Sequence, residues 1–450
     1  MDIVSVLRGI GGVILIIGIA FLFSNNKKKV NWRLVASGFG IQLVFAILIL
    51  HSETLRAWFF PLGWPKDAIN WLGGAVVSLL GFTTEGSKFV FGRLAVNSGS
   101  ESLGVYFAFQ VLPTIIFVAS LTSVLYYLGI LQLVVKGMAY VMAKIMGTSG
   151  AESLSNTANI FVGQTEAPLF IRPYIEKMTN SEILTIMVGG MATIAGGVMA
   201  SYIQMLGQSF ADAHHLALAE AQLKFAVQLL AASTMAAPAS LAISKILYPE
   251  VEEPETKGTV KLKVESNASN VIEAAATGAG DGLQLALNVA GMLLAFIALI
   301  ALLNYLLGGL GDMLHINAWL TATYGQPLSM QLIFGLVLQY LAIGIGVPVA
   351  DALHFGSLIG TKVVLNEFVA YLDLASYVKA GVMSEKGVMM ATYALCGFAN
   401  FSSIAIQIGG IGPLAPNRKK DIAALGLKAV LGGSLATLMT ATIAGILVGS

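Results

Sequence analysis

Long stretches without any Asp, Glu, Lys or Arg recur along this chain, and they limit its fold more than any other feature. A helix needs about 20 apolar residues to cross a hydrocarbon layer of ~30 Å, and most of these stretches are long enough. A water-soluble protein places charges on the outer face of nearly every helix, and no period-two alternation indicates a β-barrel. The stretches therefore predict an all-α polytopic membrane protein. They cover residues 9–26, 34–52, 68–84, 102–135, 183–211, 225–244, 283–311, 313–350, 387–417 and 429–450.

The composition favours the same class of protein. Of the 450 residues, 56% are hydrophobic and 11% are charged, which is less than half of the roughly 25% typical of soluble domains. The 25 basic and 24 acidic side chains give a net charge of +1, which excludes a basic nucleic-acid-binding protein and an acidic disordered chain. We expect the lipid bilayer, and no nucleic acid, as a partner.

Two basic clusters predict how the chain is oriented. Lys27–Lys29 follow the first apolar stretch, and Arg418, Lys419 and Lys420 precede the last one. Short loops rich in Lys and Arg stay in the cytoplasm, so both loops are predicted to be cytoplasmic and the C-terminus to lie outside. Because a basic stop follows the first stretch, we expect an uncleaved anchor and a multi-pass protein of the plasma (inner) membrane.

Two shorter segments predict helices at the membrane surfaces. Residues 68–82, bounded by Asp67 and Glu85, predict a short helix near the outer face. Residues 131–146 alternate apolar side chains with Lys136 and Lys144, which is typical of an amphipathic helix on the cytoplasmic surface.

The most polar segment, residues 248–270, predicts a solvated linker between two glycine-rich apolar halves. A helix is predicted from about residue 271 to 310 after it. At 1.5 Å per residue this helix is about twice as long as the hydrocarbon core is thick, so it must tilt, kink or lie partly in the interface. Glu273 and Asp281 in its first part favour an interfacial start.

Polar residues interrupt the apolar pattern of the first half. Residues 156–168 lie between segments too short to cross a membrane, which predicts a re-entrant hairpin. Gly163 allows a tight turn, and Pro168 suits the start of a returning half-helix. Glu166 has apolar neighbours, and an intramembrane carboxylate indicates a functional site. Four glycines in residues 189–198 predict either an unwound helix or a packing face of small residues.

The second half repeats this plan. Residues 344–351 break an apolar run, Asn366 and Glu367 place an amide beside a carboxylate, and residues 396–403 interrupt a charge-free span. Paired interruptions in two halves indicate a transporter site at a repeat interface. We predict an inverted repeat with two re-entrant helical hairpins and broken transmembrane helices.

The polar residues of these interruptions indicate the ligand. Carboxylates, amides and hydroxyls without Arg or Lys suit a neutral, polyhydroxylated molecule with a heterocyclic edge, and Phe398 and Phe401 are candidates to pack on its ring. Asn159, Thr193 and backbone carbonyls offer the oxygen ligands that a hard cation prefers. The sequence contains neither a phosphate-binding G-x-x-x-x-G-K-[ST] motif nor H-E-x-x-H. We therefore predict no catalytic residues, no transition metal and no organic cofactor.

Three motifs resemble signatures of the concentrative nucleoside transporter family, in its bacterial, sodium-coupled type. The resemblance implies eight membrane-crossing helices, two hairpins, a homotrimer, and a scaffold that supports a transport domain moving like an elevator. The motifs are Gly163-Gln164-Thr165-Glu166-Ala167-Pro168, Asn366-Glu367-Phe368 and Cys396-Gly397-Phe398-Ala399-Asn400-Phe401-Ser402-Ser403.

The resemblance also implies a division of the chain into four segments. Residues 1–130 would hold the N-terminal spans and the outer interfacial helix of the scaffold. Residues 131–247 would form the first transport repeat, from the interfacial helix through the first hairpin to the following spans. Residues 248–311 would return to the scaffold, with the polar cytoplasmic loop and the long tilted helix. Residues 312–450 would form the second transport repeat, with the second hairpin and the last two spans.

The family's binding residues can be assigned to matching positions. Those at the first hairpin would face the nucleobase, those of the second half would hold the ribose, and a third set would bind sodium. The nucleobase set is Gly163, Gln164, Thr165, Glu166 and Val198; the ribose set is Glu367, Phe398, Asn400 and Ser403; the sodium set is Asn159, Thr193 and the carbonyls of Val162 and Ile194.

The resulting hypothesis is a secondary active importer of nucleosides of the uridine, cytidine and adenosine class, coupled to a sodium gradient. Three alternatives stay open. Coupling to protons through Glu166 or Glu367 is the first, and an elevator-type transporter of another small polar metabolite is the second. An intramembrane enzyme is the third, although no nucleophile and base in a catalytic arrangement support it.

Overall fold

The computed structural model describes residues 3–96, 103, 106–258 and 268–448, and within them the secondary structure is helical apart from one isolated β-bridge. Short 3₁₀ turns connect several of the α-helices. The α-helices of the described residues are α1 Ile3–Leu22, α2 Trp32–Leu50, α3 Ser52–Trp58, α4 Trp64–Phe91, α5 Phe107–Gln110, α6 Leu112–Tyr127, α7 Ile130–Met146, α8 Gly150–Ala158, α9 Arg172–Ile175, α10 Asn180–Ala192, α11 Gly196–His214, α12 Leu218–Leu247, α13 Val271–Met313, α14 Asn317–Tyr324, α15 Met330–Gly344, α16 Ala352–Val364, α17 Glu367–Ala380, α18 Glu385–Leu395, α19 Phe401–Ile411 and α20 Lys419–Leu447.

Six helical segments of the described residues are long and apolar enough to cross a membrane. Their burial differs: residues are mostly buried in three of them, α10 with α11, α12 and α20, whereas α2 and α6 are largely half-buried and α13 is mostly exposed. In α13 only 22% of the most apolar window is buried, against 83% for α10 with α11. An apolar helix that is exposed on most of its surface needs an apolar solvent, so α13, which is exposed along most of its length, presents a surface suited to lipid.

The first hairpin begins and ends at capped helices. Ser149 and Glu152 form a capping box at the start of α8, and Thr179 and Glu182 form another at the start of α10. Ser149 Oγ donates to Glu182 Oε1 over 2.5 Å, which ties the two starts together. In the turn between them, Asn159, Ile160, Val162 and Gln164 are buried between the helices, whereas Glu166 at the end of the turn is exposed.

The second hairpin has the same plan. α16 and α17 meet at a tip formed by Leu365 and Asn366, and the Asn366 side chain caps α17 by accepting from Val369 N over 2.9 Å. At the other end of the hairpin, the Asp351 carboxylate accepts hydrogen bonds from the backbone N–H and the hydroxyl of Ser384, the cap of α18. As in the first half, the start of the hairpin is bonded to the start of the broken helix that follows.

Each of the two helices that follow a hairpin is broken. The first break packs on the tip of the first hairpin, and the second packs on the end of α10. The first break spans residues 193–195, between α10 and α11, and Gly196 N donates to Phe161 O of the first hairpin over 3.1 Å. The second spans residues 396–400, where Gly397 has a φ of +130°. A Cβ at Gly397 would lie 2.6 Å from Met191 O, at the end of α10. Glycine thus allows the two breaks to touch.

The predicted unwinding of the first half is confirmed, although it starts at Thr193 rather than at the first glycines. Gly189 and Gly190 remain helical, and a Cβ at these two positions would lie 2.0 Å from Asn156 Oδ1 and 2.8 Å from Gln164 Cβ. The glycines of this segment therefore also serve close packing against the hairpin.

Two sequence-based expectations about helix lengths were wrong. The outer helix is not limited to residues 68–82 but runs from Trp64 to Phe91, because Asp67 and Glu85 lie on an exposed helical face and pair with Arg56 and Lys88. The arm that returns from the first hairpin is not a half-helix starting at Pro168. It is the 3₁₀ turn Ala167–Ile171 followed by the single turn of α9.

The segment between the halves also differs from the expected solvated linker. Glu250 accepts from Thr179 Oγ1 over 2.8 Å and pairs with buried Lys245, and Gly150 N donates to Thr256 O over 2.9 Å. Its first part is therefore packed on the base of the first hairpin. The charges expected at Lys261, Lys263 and Glu265 lie outside the described residues. α13 then continues without a break to Met313, three residues beyond the predicted end.

Candidate substrate site

One cavity of about 330 Å³ lies where both hairpin tips, both helix breaks and α13 meet. This volume is within the range of small-molecule sites, which run from about 300 to 1,000 Å³. All nine residues that the sequence predicts for substrate binding line it: Gly163, Gln164, Thr165, Glu166, Val198, Glu367, Phe398, Asn400 and Ser403. The structure therefore brings together residues that are more than two hundred positions apart in the chain.

The first hairpin tip is held by amide hydrogen bonds. Gln164 Nε2 donates to Ser403 Oγ over 3.2 Å, and its Oε1 accepts from Gln407 Nε2 over 3.1 Å. Gln407 is itself fixed by donating to Met187 O over 2.9 Å. These bonds join the first hairpin to α19 and α10 and set the orientation of the Gln164 amide, which can donate and accept at the same ligand edge.

The Glu166 side chain folds back onto the tip of its own hairpin. Its Oε2 accepts from Gly163 N over 2.9 Å, so the tip forms a closed turn with a carboxylate at its edge. Glu166 also lines a second cavity of about 200 Å³ on the side of α6 and the first break. The carboxylate thus lies between two cavities. Among the described residues, no hydrogen bond uses its second oxygen, Oε1, which can accept one from a ligand.

Glu367 is buried and held from two sides. Its Oε1 accepts from the Tyr202 hydroxyl over 3.1 Å, and its Oε2 accepts from Asn400 Nδ2 over 2.9 Å. The Asn400 Oδ1 caps α19 by accepting from Ser403 N over 2.9 Å. Each carboxylate oxygen has a second lone pair, so Glu367 can accept hydrogen bonds from ligand hydroxyls without losing its supports.

The rest of the cavity wall matches a neutral ligand. Among the described residues that line the cavity, none is Lys, Arg or His, whereas Glu166, Glu367 and Asp281 are acidic. An anion would meet repulsion without any compensating partner, and leaving a buried charge unpaired is costly. Val198, Phe368 and Phe398 supply apolar surface for a flat ring.

The four residues predicted for a cation come from the first hairpin and the first break. Asn159 and Thr193 are each 1% exposed, and Val162 and Ile194 are also buried. The Asn159 Oδ1 has no hydrogen-bond partner in the structure, because its amide nitrogen makes the bond to Ser155 O.

Among the described residues, no backbone hydrogen bond uses the carbonyls of Val162 or Ile194. Thr193 Oγ1 donates to Gly189 O over 2.9 Å, which leaves its lone pairs available. A cation with oxygen ligands would satisfy such a set.

Sequence reasoning missed several residues that build the site. Tyr202 and Gln407 support Glu367 and Gln164, but both lie in the middle of helices, where nothing in the sequence sets them apart from other polar residues. α13 contributes Asp281, Gln284 and Asn288 to the cavity wall. Their spacing places them on one helical face, which is the one signal that the sequence offered.

Two expectations need correction. Asp281 does not mark an interfacial start of α13, because it lines both cavities. Phe401 does not face the ligand space, since it is 49% exposed and absent from the lining, whereas Phe398 is part of it. Phe401 is the first residue of α19, and the cap at Asn400 turns its side chain outward.

Comparisons with known proteins agree with this geometry. Family models described as Na+ dependent nucleoside transporter N-terminus, nucleoside recognition, and Na+ dependent nucleoside transporter C-terminus match residues 11–94, 108–209 and 228–445. The chain is 46% identical to an uncharacterized transporter of Haemophilus influenzae, with 99% of this chain and 98% of the relative covered. It is 41% identical to nucleoside permease NupC of Helicobacter pylori, with 99% and 98% covered.

The chain is also 40% identical to sodium/nucleoside cotransporter 1 of Rattus norvegicus, over 97% of this chain and 63% of that longer protein. Among solved structures, CNTnw in an inward-facing substrate-bound state is 41% identical, with a TM-score of 0.83 and 98% of both chains covered. A CNTnw variant in an outward-facing state has a TM-score of 0.84 at 40% identity, with 99% and 98% covered. The chain therefore belongs to the sodium-dependent, concentrative nucleoside transporter family, as an all-helical, multi-pass membrane transporter rather than an enzyme.

Proposed function

We propose that this protein imports nucleosides by coupling them to the entry of sodium. The observation that carries the proposal is the single cavity lined by Glu166, Gln164, Glu367 and Asn400 without a basic side chain. A ribose presents hydroxyl donors, and a nucleobase presents an edge with both donors and acceptors. This set of carboxylates and amides is complementary to both.

The cavity has two ends that suit the two parts of a nucleoside. The nucleobase is proposed to lie against Gly163, Gln164, Thr165 and Glu166, with Val198 beside the ring. The ribose hydroxyls would donate to Glu367. On the same side, Asn400 and Ser403 complete the hydrogen bonds to the ribose, and Phe398 packs beside it.

Sodium is proposed to bind next to this cavity, at Asn159, Thr193 and the carbonyls of Val162 and Ile194. Support comes from the unpartnered Oδ1 of Asn159 and from the bond between Gly196 N and Phe161 O, which holds the hairpin and the break against each other. A cation here would stabilise the same tip that orients Gln164, so ion binding and substrate binding would favour each other.

We further propose that the chain works as a homotrimer in the plasma (inner) membrane with its C-terminus outside, and that a transport domain moves like an elevator past a scaffold. Related CNTnw structures are described in inward-facing, outward-facing and intermediate states. The high burial of α10, α11, α12 and α20, compared with the exposed α13, is consistent with a compact moving unit beside a lipid-facing wall.

The test is uridine and adenosine uptake into proteoliposomes with an inward gradient of sodium, of protons, or of neither. We expect uptake above equilibrium only with the sodium gradient. The variant Thr193→Val should raise the sodium concentration needed for half-maximal uptake. Thr442→Val is its matched control, because Thr442 Oγ1 also donates to a carbonyl four residues earlier, within α20. Uptake driven by protons alone would replace sodium in the proposal, and absence of nucleoside uptake would contradict it.

A further inference from the structure

The two halves of the chain repeat with a nearly constant spacing. α12 begins at Leu218 and α20 at Lys419, and the hairpin carboxylates Glu166 and Glu367 are separated by the same number of residues. α7 and α15, which precede the two hairpins, begin at nearly the same separation. The elements of the two halves can therefore be matched, with shifts of a few residues at the hairpins and helix breaks.

Lys362 is a buried cation at the second helix break. It lies in the last turn of α16, in the first arm of the second hairpin, and is 1% exposed. Its Nζ donates to Ala394 O over 2.8 Å and to Thr437 Oγ1 over 3.1 Å. Ala394 lies in the last turn of α18, where carbonyls lack helical partners and the helix dipole is negative.

In the part of the chain that the structure describes, no carboxylate forms an ion pair with this lysine. None of the ion pairs between described residues includes Lys362. A buried charge is expensive unless it is paired or well solvated by polar groups. Lys362 is thus held as a metal cation would be, by neutral oxygens of a helix end and a hydroxyl.

The same two elements hold the proposed sodium site in the first half. There the oxygens come from the first hairpin arm, at Asn159 and Val162, and from the first break, at Thr193 and Ile194. α10 ends at Ala192 and α18 at Leu395, so Thr193 corresponds to Cys396, and Ala394 lies in the last helical turn before the second break. The residue that corresponds to Lys362 is Phe161, which has no charge.

We propose that the Lys362 ammonium is a built-in cation that occupies, in the second repeat, the place that sodium occupies in the first. It compensates the negative end of the helix dipole at the buried C-terminus of α18 and holds the second break against the second hairpin. As a result, one nucleoside would be transported with one sodium ion, because the second symmetric place is already filled. This inference rests on the proposed sodium site.

The experiment measures sodium binding without transport. Thermal unfolding midpoints of the purified full-length protein are recorded in mixtures of NaCl and choline chloride at constant ionic strength, without nucleoside. The variants are Lys362→Ser, which removes the charge and leaves a hydroxyl and a space, and Lys362→Met, which removes the charge and fills the space. Lys379→Met, at an exposed lysine of α17, is the control.

For the unsubstituted protein and the control we expect a sodium response with a Hill coefficient of one. Lys362→Ser should unfold at a lower temperature in choline and regain stability in sodium with a Hill coefficient above one. Lys362→Met should be destabilised without this additional response. Equal sodium responses of the two Lys362 variants would overturn the proposal.

A second measurement avoids any risk that the variants fail to fold. In proteoliposomes, the unsubstituted protein should move one charge per uridine, and a ratio of two would overturn the proposal. An unsubstituted protein without any sodium response would contradict the coupling ion itself. That result is distinct from failure of the Lys362 inference, which is read from the difference between the two variants.

Discussion

At the scale of single residues, the site depends on polar side chains whose positions are fixed by hydrogen bonds to their neighbours, both beside and within the cavity wall. Glu367 is held by Tyr202 and Asn400, and Gln164 is held by Ser403 and Gln407. All of these hydrogen bonds are made between the protein's own side chains. Preorganised hydrogen-bonding groups reduce the entropy that binding costs, so the supporting residues should affect affinity nearly as much as the residues that contact the ligand.

Replacing Glu367 by Gln tests the ribose contact. The change keeps the shape but removes the charge, and hydrogen bonds to charged groups contribute about 1.5–3 kcal/mol. We expect uridine binding by calorimetry to weaken by roughly 10- to 100-fold. Glu385→Gln, at an exposed carboxylate that pairs with Lys224, is the control and should bind normally. Full affinity of the Glu367 variant would contradict the assigned contact.

Gln407→Leu tests a positioning residue. Gln407 does not line the cavity, but it fixes Gln164 and Met187 O. Losing one neutral hydrogen bond costs about 0.5–1.5 kcal/mol, so KM for uridine should rise up to about tenfold while the maximal rate changes little. The readout is uptake kinetics in proteoliposomes. A loss of maximal rate at unchanged KM would show that Gln407 acts on transport rather than on the position of Gln164.

At the scale of elements, the two helix breaks touch each other, and glycine makes this possible. Gly397 adopts a φ of +130° and lies against Met191 and Ala192. Gly397→Ala would combine a disfavoured φ with a Cβ that is 2.6 Å from Met191 O, and strained backbone of this kind costs about 1–3 kcal/mol. We expect a lower thermal midpoint and loss of uptake.

The matched control for this substitution is Gly409→Ala. Gly409 lies within α19, and a Cβ there meets no atom within 4 Å. Alanine in an open helical position is favourable, so the control should keep or raise the midpoint. If both variants behaved alike, close contact between the breaks would not be needed for the fold.

α13 is an apolar helix that carries a polar face toward the cavity. Asp281, Gln284 and Asn288 line the cavity, and Gln284 Nε2 donates to Asn288 Oδ1 over 3.0 Å. Asp281 adds a third carboxylate to a space that also holds Glu166 and Glu367. We infer that it helps to exclude phosphorylated nucleosides by repulsion.

Asp281→Asn should therefore leave uridine uptake nearly unchanged and strengthen inhibition by uridine monophosphate. A repulsion of ~1 kcal/mol between two charges corresponds to a change of about fivefold in the inhibition constant. Asp312→Asn, at the exposed end of the same helix, is the control and should have no effect. Unchanged inhibition by the monophosphate in the Asp281 variant would remove Asp281 from selectivity.

At the scale of the whole molecule, the proposed sodium coupling would make the membrane potential part of the driving force. A neutral nucleoside gains nothing from the potential, whereas each cotransported cation gains about 2.3 kcal/mol per 100 mV. With an imposed inside-negative potential and equal sodium on both sides, uridine should accumulate about 50-fold per 100 mV. The measurement uses potassium-loaded proteoliposomes with valinomycin, and accumulation that is independent of potential would exclude coupling to one uncompensated cation.

The positions of the hairpin tips and breaks were predictable from the sequence because each is marked by polar residues inside an apolar chain. Gln164, Glu166, Glu367 and Asn400 stand out for this reason, and all four line the cavity. Tyr202 was not predictable. It is one aromatic residue in a helix of mixed composition, and only the approach of the second hairpin gives its hydroxyl a carboxylate.

The sequence by itself determined the class of protein, its two similar halves and the residues that interrupt them, since the cost of polar groups in an apolar medium is a local property of the chain. The tertiary structure decided which distant residues meet. Three contacts join the two repeats or distant helices: Gly397 packs against Met191, Gln407 donates to Gln164, and Lys362 donates to the carbonyl of Ala394. Such contacts depend on the packing of whole helices, and no local pattern records the partner on the other side.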